Sequence, residues 1–232
     1  MLSELDYTAE LVLNGKIDSL VEKDNKRIIY IIIKRLFDII GSFIGILFLI
    51  PITIIIKIIT MCTGDFHSIF YSQNRIGKNG KEFKLYKFRS MIPNADEELK
   101  KILKENKKLA QEYKKYKKFD NDPRITKIGK FIRKTSIDEL PQLINILMGD
   151  MSFIGNRPYL PREKEDMGSY YNDIVKTKPG LTGFWQCSLR SRGTFEQRLV
   201  MEKYYSNNNS LKFDIKIFFK TIAVILKDEG AK

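Results

Sequence analysis

The longest apolar stretch of the chain runs from Ile39 to Ile56 without a charged residue. Because a helix needs about 20 apolar residues to cross the hydrocarbon core of a bilayer, this stretch predicts a membrane-inserted helix over 28–62. Lysines and arginines flank both ends, and Pro51 removes a backbone hydrogen bond within the run. We therefore expect a re-entrant helix that kinks at Pro51 and returns to the same membrane face. A tilted span that tolerates the proline is the alternative.

The residues around this segment divide the chain into three predicted parts. Residues 1–27 are polar and charged, with no apolar stretch followed by small residues, so they predict a leader that is partly helical or disordered, not a cleavable signal. The membrane helix follows over 28–62. Residues 63–232 are then expected to form an α-rich α+β domain with amphipathic interfacial helices around its core.

Two patterns predict the first elements of that domain. β-forming residues at 68–73 and 82–88 flank the turn-forming sequence Lys78–Lys81, which together indicate a short β-hairpin. Apolar residues at helical spacing from Leu99 to Tyr116 then predict a helix that opens near Asn94.

Two further helices are predicted nearer the C-terminus. An apolar stripe after Pro141 ends near Gly149 and indicates a short helix. The segment Leu211–Lys227 alternates apolar and basic positions at helical spacing. This pattern is typical of a helix on a membrane surface, with docking against the protein core as the alternative.

The charge of the chain indicates anionic partners. The sequence has 41 Lys and Arg against 28 Asp and Glu, a formal net charge of +13. Nucleic acid, an acidic membrane face and phosphorylated substrates all fit such an excess. Nine lysines between Lys100 and Lys118 suggest contact with phospholipid or nucleic acid, although a solvated helix face explains them equally well.

Cysteine and histidine are too scarce to carry most kinds of catalysis. Cys62 and Cys187 match no metal-binding spacing, and His67 is the single histidine of the sequence. A histidine-rich metal site is therefore excluded, and acid–base or nucleophilic chemistry falls mainly on carboxylates.

The adjacent carboxylates Asp138 and Glu139 are the sharpest chemical signal. Pro141 requires a helix to begin close by, and backbone N–H groups at a helix start attract phosphate. One carboxylate can then attack phosphorus while the other helps to hold a divalent cation. The alternative is helix capping, because Ser136 and Glu139 have the spacing of a capping box.

Basic side chains elsewhere are candidates for binding phosphate. Arginine matches phosphate oxygens two at a time, so a diphosphate site would use several. The candidates are Lys87, Arg89, Arg124, Arg133, Arg157, Arg190 and Arg192.

Four motifs in register resemble those of the bacterial sugar transferases, the monotopic phosphoglycosyl transferases that initiate capsule, O-antigen and glycoprotein glycan assembly. They read KFRSM at Lys87–Met91, TSIDELPQL at Thr135–Leu143, GDMSFIGNRP at Gly149–Pro158 and KPGLTG at Lys178–Gly183. The resemblance extends from about residue 30 to the C-terminus. It favours catalysis over capping at Asp138, and it supports the re-entrant helix with its proline kink.

The resemblance implies a ping-pong reaction. Asp138 matches the aspartate that attacks the sugar-linked phosphate of a UDP-sugar, which releases UMP and leaves a phosphosugar-aspartyl enzyme. Polyprenyl (undecaprenyl) phosphate then takes the phosphosugar. Asp138 and Glu139 match the pair beside Mg²⁺, while Lys87, Arg157 and Arg190 match basic residues of the active site.

Three departures from the family pattern stand out. Asn156 replaces the first proline of Pro-Arg-Pro, and Leu189 replaces the glycine of a Gly-Arg pair, which makes Arg192 a rival to Arg190. Glu202 stands where an aspartate is usual, so a metal-binding role for it is doubtful. The lysine-rich insertion at 95–121 resembles members that transfer galactose- or glucose-phosphate.

The resemblance also implies a location and partners. We expect residues 63–232 to be a catalytic domain that lies on the cytosolic face of the bacterial inner membrane and contacts anionic lipids. Nucleic acid is not expected as a partner, and the resemblance leaves a homodimer open. Two rival functions remain: a basic membrane-tethered protein that binds nucleic acid, and an inactive relative that acts as a scaffold.

Overall fold

The computed structural model describes residues 2–13, 25–116, 119, 121–189 and 193–226. Within these ranges the chain is rich in helix, as the α-rich α+β prediction has it, and it has two small two-stranded sheets, of which the sequence predicted one. The helices are α1 (Leu2–Leu13), α2 (Asn25–Cys62), α3 (Ala95–Glu105), α4 (Lys107–Tyr116), α5 (Lys127–Lys134), α6 (Gln142–Met148), α7 (Lys164–Met167), α8 (Tyr171–Ile174), α9 (Phe184–Ser188), α10 (Phe195–Asn208) and α11 (Leu211–Leu226). The strands are β1 (Phe70–Ile76), β2 (Glu82–Phe88), β3 (Ser152–Ile154) and β4 (Gly180–Thr182).

The apolar helix α2 begins at Asn25, slightly before the predicted segment, and continues through Pro51 to Cys62. Its portion Arg27–Cys62 is long and apolar enough to cross a membrane. Large side chains such as Phe37 and Phe48 are about two-thirds exposed, as membrane contact requires. α2 is one uninterrupted helix across Pro51. The kink at Pro51 and the re-entrant path through a membrane stay predictions.

One side of α2 packs tightly against the rest of the protein. A Cβ atom built on Gly45 would lie 2.8 Å from Leu143 of α6, and one built on Gly41 would lie 2.7 Å from the ring of Phe153 in β3. These two glycines therefore allow the close approach of α2. Leu49 and Ile56 of the same helix join a buried cluster with Phe88 of β2.

The predicted leader contains the helix α1, which packs into the protein core. Its Leu5 and Ala9 are buried against α9, α10 and α11, in a cluster with Phe184 and Tyr205. The expectation of partial helix is met over these residues, and the stretch between α1 and α2 lies outside the described residues.

The predicted β-hairpin is confirmed. Strands β1 and β2 pair antiparallel, with Tyr71 opposite Lys87. The turn contains Asn79 and Gly80 at φ +58° and +77°, values that asparagine and glycine tolerate best. The amide of Asn79 donates to the carbonyl of Val175 at 2.7 Å, which fixes the hairpin tip to the end of α8. β3 and β4 form a second, parallel pair.

The prediction of one continuous helix from Asn94 to Tyr116 is wrong. The chain is extended at Asn106, which separates α3 from α4. The Asn106 side chain accepts a hydrogen bond from the amide of Leu109 at 3.1 Å, so the break also caps the second helix. Asn94 stands at the start of α3 but makes no capping side-chain hydrogen bond.

The two C-terminal helix predictions are met in α6 and α11. Gly149 ends α6 at φ +93°, a value that favours glycine. One face of α11 docks on the core through Ile217, which is fully buried, while Phe218 and Phe219 are half exposed. Contact of that exposed face with a membrane stays a prediction.

Candidate active site

Asp138 and Glu139 lie in a single 3-10 turn, Ile137–Glu139, between α5 and α6. Ser136 precedes the turn with φ +57°, and this left-handed residue reverses the chain after α5. The capping alternative is wrong here, because the Ser136 side chain makes no capping hydrogen bond. Asp138 is buried at 7% exposure, whereas the Glu139 side chain keeps 36%.

Lys87, near the end of β2, reaches both acids. Its Nζ atom lies 2.6 Å from Glu139 Oε1 and 4.0 Å from Asp138 Oδ2. A partly buried ammonium between two carboxylates stabilises their ionised forms. The predicted residues Lys87, Asp138 and Glu139 therefore meet in one place.

Asn145 of α6 holds this arrangement together. Its side chain accepts a hydrogen bond from the amide of Tyr86 at 3.0 Å and donates one to the carbonyl of Lys84 at 2.7 Å. It is fully buried, so α6 and β2 are locked at the residue before Lys87. The sequence reading missed Asn145, although an asparagine inside an apolar stripe was a usable signal.

Two predicted arginines add positive charge to the pair. Arg133, at the end of α5, donates from Nε to the Ser90 hydroxyl at 2.8 Å, and its charge acts on both acids. The charge of Arg157 acts on Glu139. These side chains and Lys87 place positive charge around the partly exposed carboxylate of Glu139, which suits a phosphate-bearing ligand.

The two acids titrate differently because their surroundings differ. Burial raises the pKa of Asp138 to about 6, and the negative charge of Glu139 adds to that rise while Lys87 opposes it. Burial would also raise the pKa of Glu139, but Lys87 and Arg157 outweigh it and the pKa is lowered. As the pH rises, Glu139 therefore loses its proton before Asp138 does. At neutral pH Asp138 is a desolvated carboxylate.

Glu202 of α10 lies behind the Arg157 loop. It is 2% exposed, and its Oε1 atom accepts a hydrogen bond from the backbone amide of Arg157 at 3.1 Å. Burial raises the pKa of Glu202 to about 7, against the opposing effects of the Tyr159 hydroxyl and the Arg198 charge. The contact supports a positioning role for Glu202 in the loop that carries Arg157, and we assign it no metal-binding role.

Asn156, which departs from the family pattern, anchors the same loop. Its side-chain amide donates to the Ser206 hydroxyl at 2.6 Å, to the Ile174 carbonyl at 3.2 Å and to the Thr177 hydroxyl at 3.3 Å. Buried hydrogen bonds thus restrain the backbone where the family usually has a rigid proline ring.

Arg89 and Arg124, two further predicted arginines, pair with other acids. Arg89 donates to Asp65 at 2.7 Å, and buried Arg124 donates to both oxygens of Asp122 at 2.8 and 2.6 Å. Phosphate binding by these two arginines stays a prediction, and the mechanism proposed below does not use them. Arg190 and its rival Arg192 lie outside the described residues.

The donor set fits Mg²⁺ in one specific way. Among the described residues, no group of three acidic, cysteine or histidine side chains converges. Mg²⁺ is commonly bound by one or two carboxylates together with substrate phosphates, without a full protein cage. Glu139, whose carboxylate is partly exposed, and Asp138 fit that kind of site.

Comparison with known proteins decides the family. The model of the bacterial sugar transferase family matches residues 29–228. The chain belongs to the bacterial sugar transferase family. Within this family, it is 43% identical over 199 residues to the UDP-galactose-lipid carrier transferase of Erwinia amylovora. It is 42% identical over 199 residues to the undecaprenyl-phosphate galactose phosphotransferase of Salmonella typhimurium.

The matched lengths differ among relatives. Each of these two alignments covers 86% of this chain but 41% of the relative. The chain therefore spans less than half the length of the Erwinia and Salmonella proteins. The exopolysaccharide production protein ExoY of Sinorhizobium fredii is 38% identical over 198 residues, which cover 85% of this chain and 87% of ExoY. The site residues from Lys87 to Glu202 all fall inside the family match.

Proposed function

We propose that the chain transfers a sugar 1-phosphate from a UDP-sugar to a polyprenyl phosphate, with Asp138 as nucleophile. The observation that carries the proposal is the contact of Lys87 with Asp138 and Glu139, in a member of the bacterial sugar transferase family. The reaction needs a carboxylate that is partly desolvated, a cationic surrounding and an approach for a phosphate. The burial of Asp138, the nearby Lys87 ammonium and the partly exposed side chain of Glu139 support the proposal on these three points.

The first step forms a covalent intermediate. A carboxylate oxygen of Asp138 attacks the phosphorus that carries the sugar, the bond from that phosphorus to the bridging oxygen of the diphosphate breaks, and UMP leaves with the electron pair. Lys87 and Arg157 offset the negative charge on the transferring phosphoryl group. Glu139 holds Lys87 at 2.6 Å and keeps its ammonium beside the reacting centre.

The second step returns the free enzyme. A phosphate oxygen of the polyprenyl phosphate attacks the same phosphorus, the bond to Asp138 breaks, and polyprenyl diphosphate-sugar forms. Mg²⁺, held by Glu139 and Asp138 with the substrate phosphates, would supply further charge neutralisation. Splitting the transfer into two displacements lets one site use two chemically different substrates in turn.

Galactose phosphate is the first candidate for the transferred group. The names of the Erwinia and Salmonella relatives both contain galactose. A further relative, 35% identical over 212 residues, is named for N-acetylgalactosamine. A panel of UDP-sugars, with UDP-galactose tested first, separates these donors by the rate of UMP release.

We place the catalytic part on the cytosolic face of the bacterial inner membrane. The exposed apolar side chains of α2 support insertion, and the lysines and arginines at both of its ends support a cytosolic location for both flanks. The basic surface would also favour contact with anionic lipids.

The proposal is tested by weighing the intact protein after incubation with UDP-galactose alone. We expect a mass increase of one galactose phosphate, absent in Asp138→Asn and retained in Asp96→Asn, a variant of an exposed acid. Product formed by protein that never gains this mass would contradict the covalent step. Absence of UMP release with every UDP-sugar would favour a scaffold, and salt-sensitive binding of nucleic acid instead would favour the other rival.

A further inference from the structure

An apolar groove of about 450 Å³ lies between α2 and α5, outside the contacts described for the active site. One wall is a single face of α2, in which isoleucines recur at helical spacing. The opposite wall is formed by α5 and the residue after it. The apolar lining is Ile52, Ile55, Ile56, Ile59, Ile128, Phe131, Ile132 and Ile137.

The groove leads to the catalytic turn. Ile137 lines it and immediately precedes Asp138 in the 3-10 turn. Its inner wall is also part of the buried cluster that contains Phe88, the residue after Lys87. Asp138 therefore directly follows a residue of the groove lining, and Lys87 directly precedes a residue of the buried cluster behind it.

The outer part of the groove is open at the protein surface. Ile55 and Phe131 line it and keep 56% and 62% of their surface exposed. A groove of this size is within the range of small-molecule sites, but its almost wholly apolar lining suits a hydrocarbon. Lys127 is the charged member of the lining, so an occupant with a negative end is also accommodated.

We infer that this groove binds the isoprenoid chain of the polyprenyl phosphate acceptor next to its phosphate. The inference rests on the proposed function, in which a polar donor and a lipid acceptor react in turn at one aspartate. The UDP-sugar reaches Asp138 from the side where Glu139 is exposed, while the acceptor enters from the bilayer along the groove. A bilayer acyl chain would fill the same volume, but it carries no phosphate that could react at Asp138.

The test uses the full chain in detergent or nanodiscs and compares Ile55→Trp with Ile54→Trp. Both isoleucines are 56% exposed on α2, and Ile55 alone of the two lines the groove. Because both side chains already face outward, neither tryptophan requires repacking of the core. We expect the KM for undecaprenyl phosphate to rise roughly tenfold in Ile55→Trp, since the indole fills the groove, and to stay unchanged in Ile54→Trp.

A second variant keeps the inference falsifiable if Ile55→Trp expresses poorly. Phe131→Ala removes the exposed ring from the opposite wall and should also raise the acceptor KM while leaving the KM for the UDP-sugar unchanged. Equal acceptor KM values for the groove variants, Ile54→Trp and the parent would overturn the inference. A groove that holds only bilayer lipid gives that same result, and the groove variants would then differ from the parent in how well lipid vesicles retain them.

The donor half-reaction separates failure of the groove from failure of the proposed function. With UDP-galactose alone, the groove variants should gain the phosphosugar mass at the parental rate. If they do so and the acceptor KM does not change, the groove assignment is wrong and the catalytic proposal stands. If the parent protein never gains the mass although product forms, the covalent mechanism itself is wrong.

Discussion

The carboxylate of Asp38, in the first half of α2, accepts a hydrogen bond of 2.9 Å from the backbone amide of Phe153 in β3. The same oxygen accepts one from the Ser152 hydroxyl at 3.0 Å. β3 leads directly into the loop that carries Arg157, so this buried contact connects the membrane helix with the catalytic site. Charged groups at membrane depth are expensive unless they are paired inside the protein.

Replacement of Asp38 should therefore weaken the connection between membrane helix and catalytic domain. We expect Asp38→Ala to lower the free energy of unfolding by about 1–3 kcal/mol, because it leaves the Phe153 amide and the Ser152 hydroxyl buried without their acceptor. Asp38→Asn keeps an acceptor oxygen and should lose less. Thermal unfolding in detergent measures the difference, and equal midpoints for Asp38→Ala and the parent would contradict the assignment.

The rate of the donor half-reaction should depend on the ionisation of Asp138. Only its carboxylate form attacks phosphorus, and burial raises its pKa to about 6. Formation of the phosphosugar adduct should thus be constant well above pH 6 and fall about tenfold per pH unit below it. Single-turnover mass spectrometry across this range gives the midpoint.

The Lys87 ammonium should set the position of that midpoint. Lys87 lowers the pKa of Asp138, so its removal in Lys87→Met should move the midpoint to higher pH as well as slow the reaction. Lys87→Arg keeps the charge and should retain a midpoint near that of the parent. A slower Lys87→Met protein with an unchanged midpoint would show that Lys87 acts on the substrate phosphates alone.

Asn145 should contribute to both stability and catalysis. Asn145→Leu has a similar volume but leaves the buried Tyr86 amide and Lys84 carbonyl without their hydrogen bonds, an expected loss of about 1–3 kcal/mol. Because those bonds place the residue before Lys87, the adduct rate should fall even at a temperature where the variant is fully folded. Ile144→Leu on the same helix is the control, and matching rates in the two variants would remove Asn145 from the site.

Glu202 should make the protein less stable as the pH rises from about 4.5 to 7. Its pKa is raised from 4.5 to about 7 in the folded protein, so the folded state binds more protons than the unfolded state over this interval. Stability therefore declines with increasing pH, by an amount on the order of 3 kcal/mol for this group.

The isosteric variant Glu202→Gln tests this linkage. It carries no titratable group at that position, so the decline of its unfolding free energy between pH 4.5 and 7 should be smaller than in the parent. Chemical denaturation at several pH values measures both slopes. Parallel slopes would indicate that Glu202 is ionised throughout the interval, with the charges of Arg198 and Arg157 outweighing its burial.

Local patterns in the sequence determined the elements and the identity of the reacting acids. The uncharged run in α2, the turn residues at Asn79 and Gly80, and the stripe that ends at Gly149 each act through near neighbours, so periodicity and turn chemistry predict them. The motif around Asp138 was readable for the same reason, since its residues are contiguous. The break at Asn106 was missed because apolar spacing does not reveal it. There the extended backbone lets the Asn106 side chain accept a hydrogen bond from the Leu109 amide.

The tertiary structure decided which charged groups meet. Lys87 and Glu139 are 52 residues apart, and their contact depends on Asn145 locking α6 to β2. Similar arginine side chains divide between the site and structural ion pairs, as Arg157 and Arg124 illustrate, because the nearest acid in space determines each partner. The balance of burial and neighbouring positive charge likewise separates the pKa values of two adjacent carboxyl groups, Asp138 and Glu139. These outcomes follow from the packing of distant segments, which no local pattern encodes.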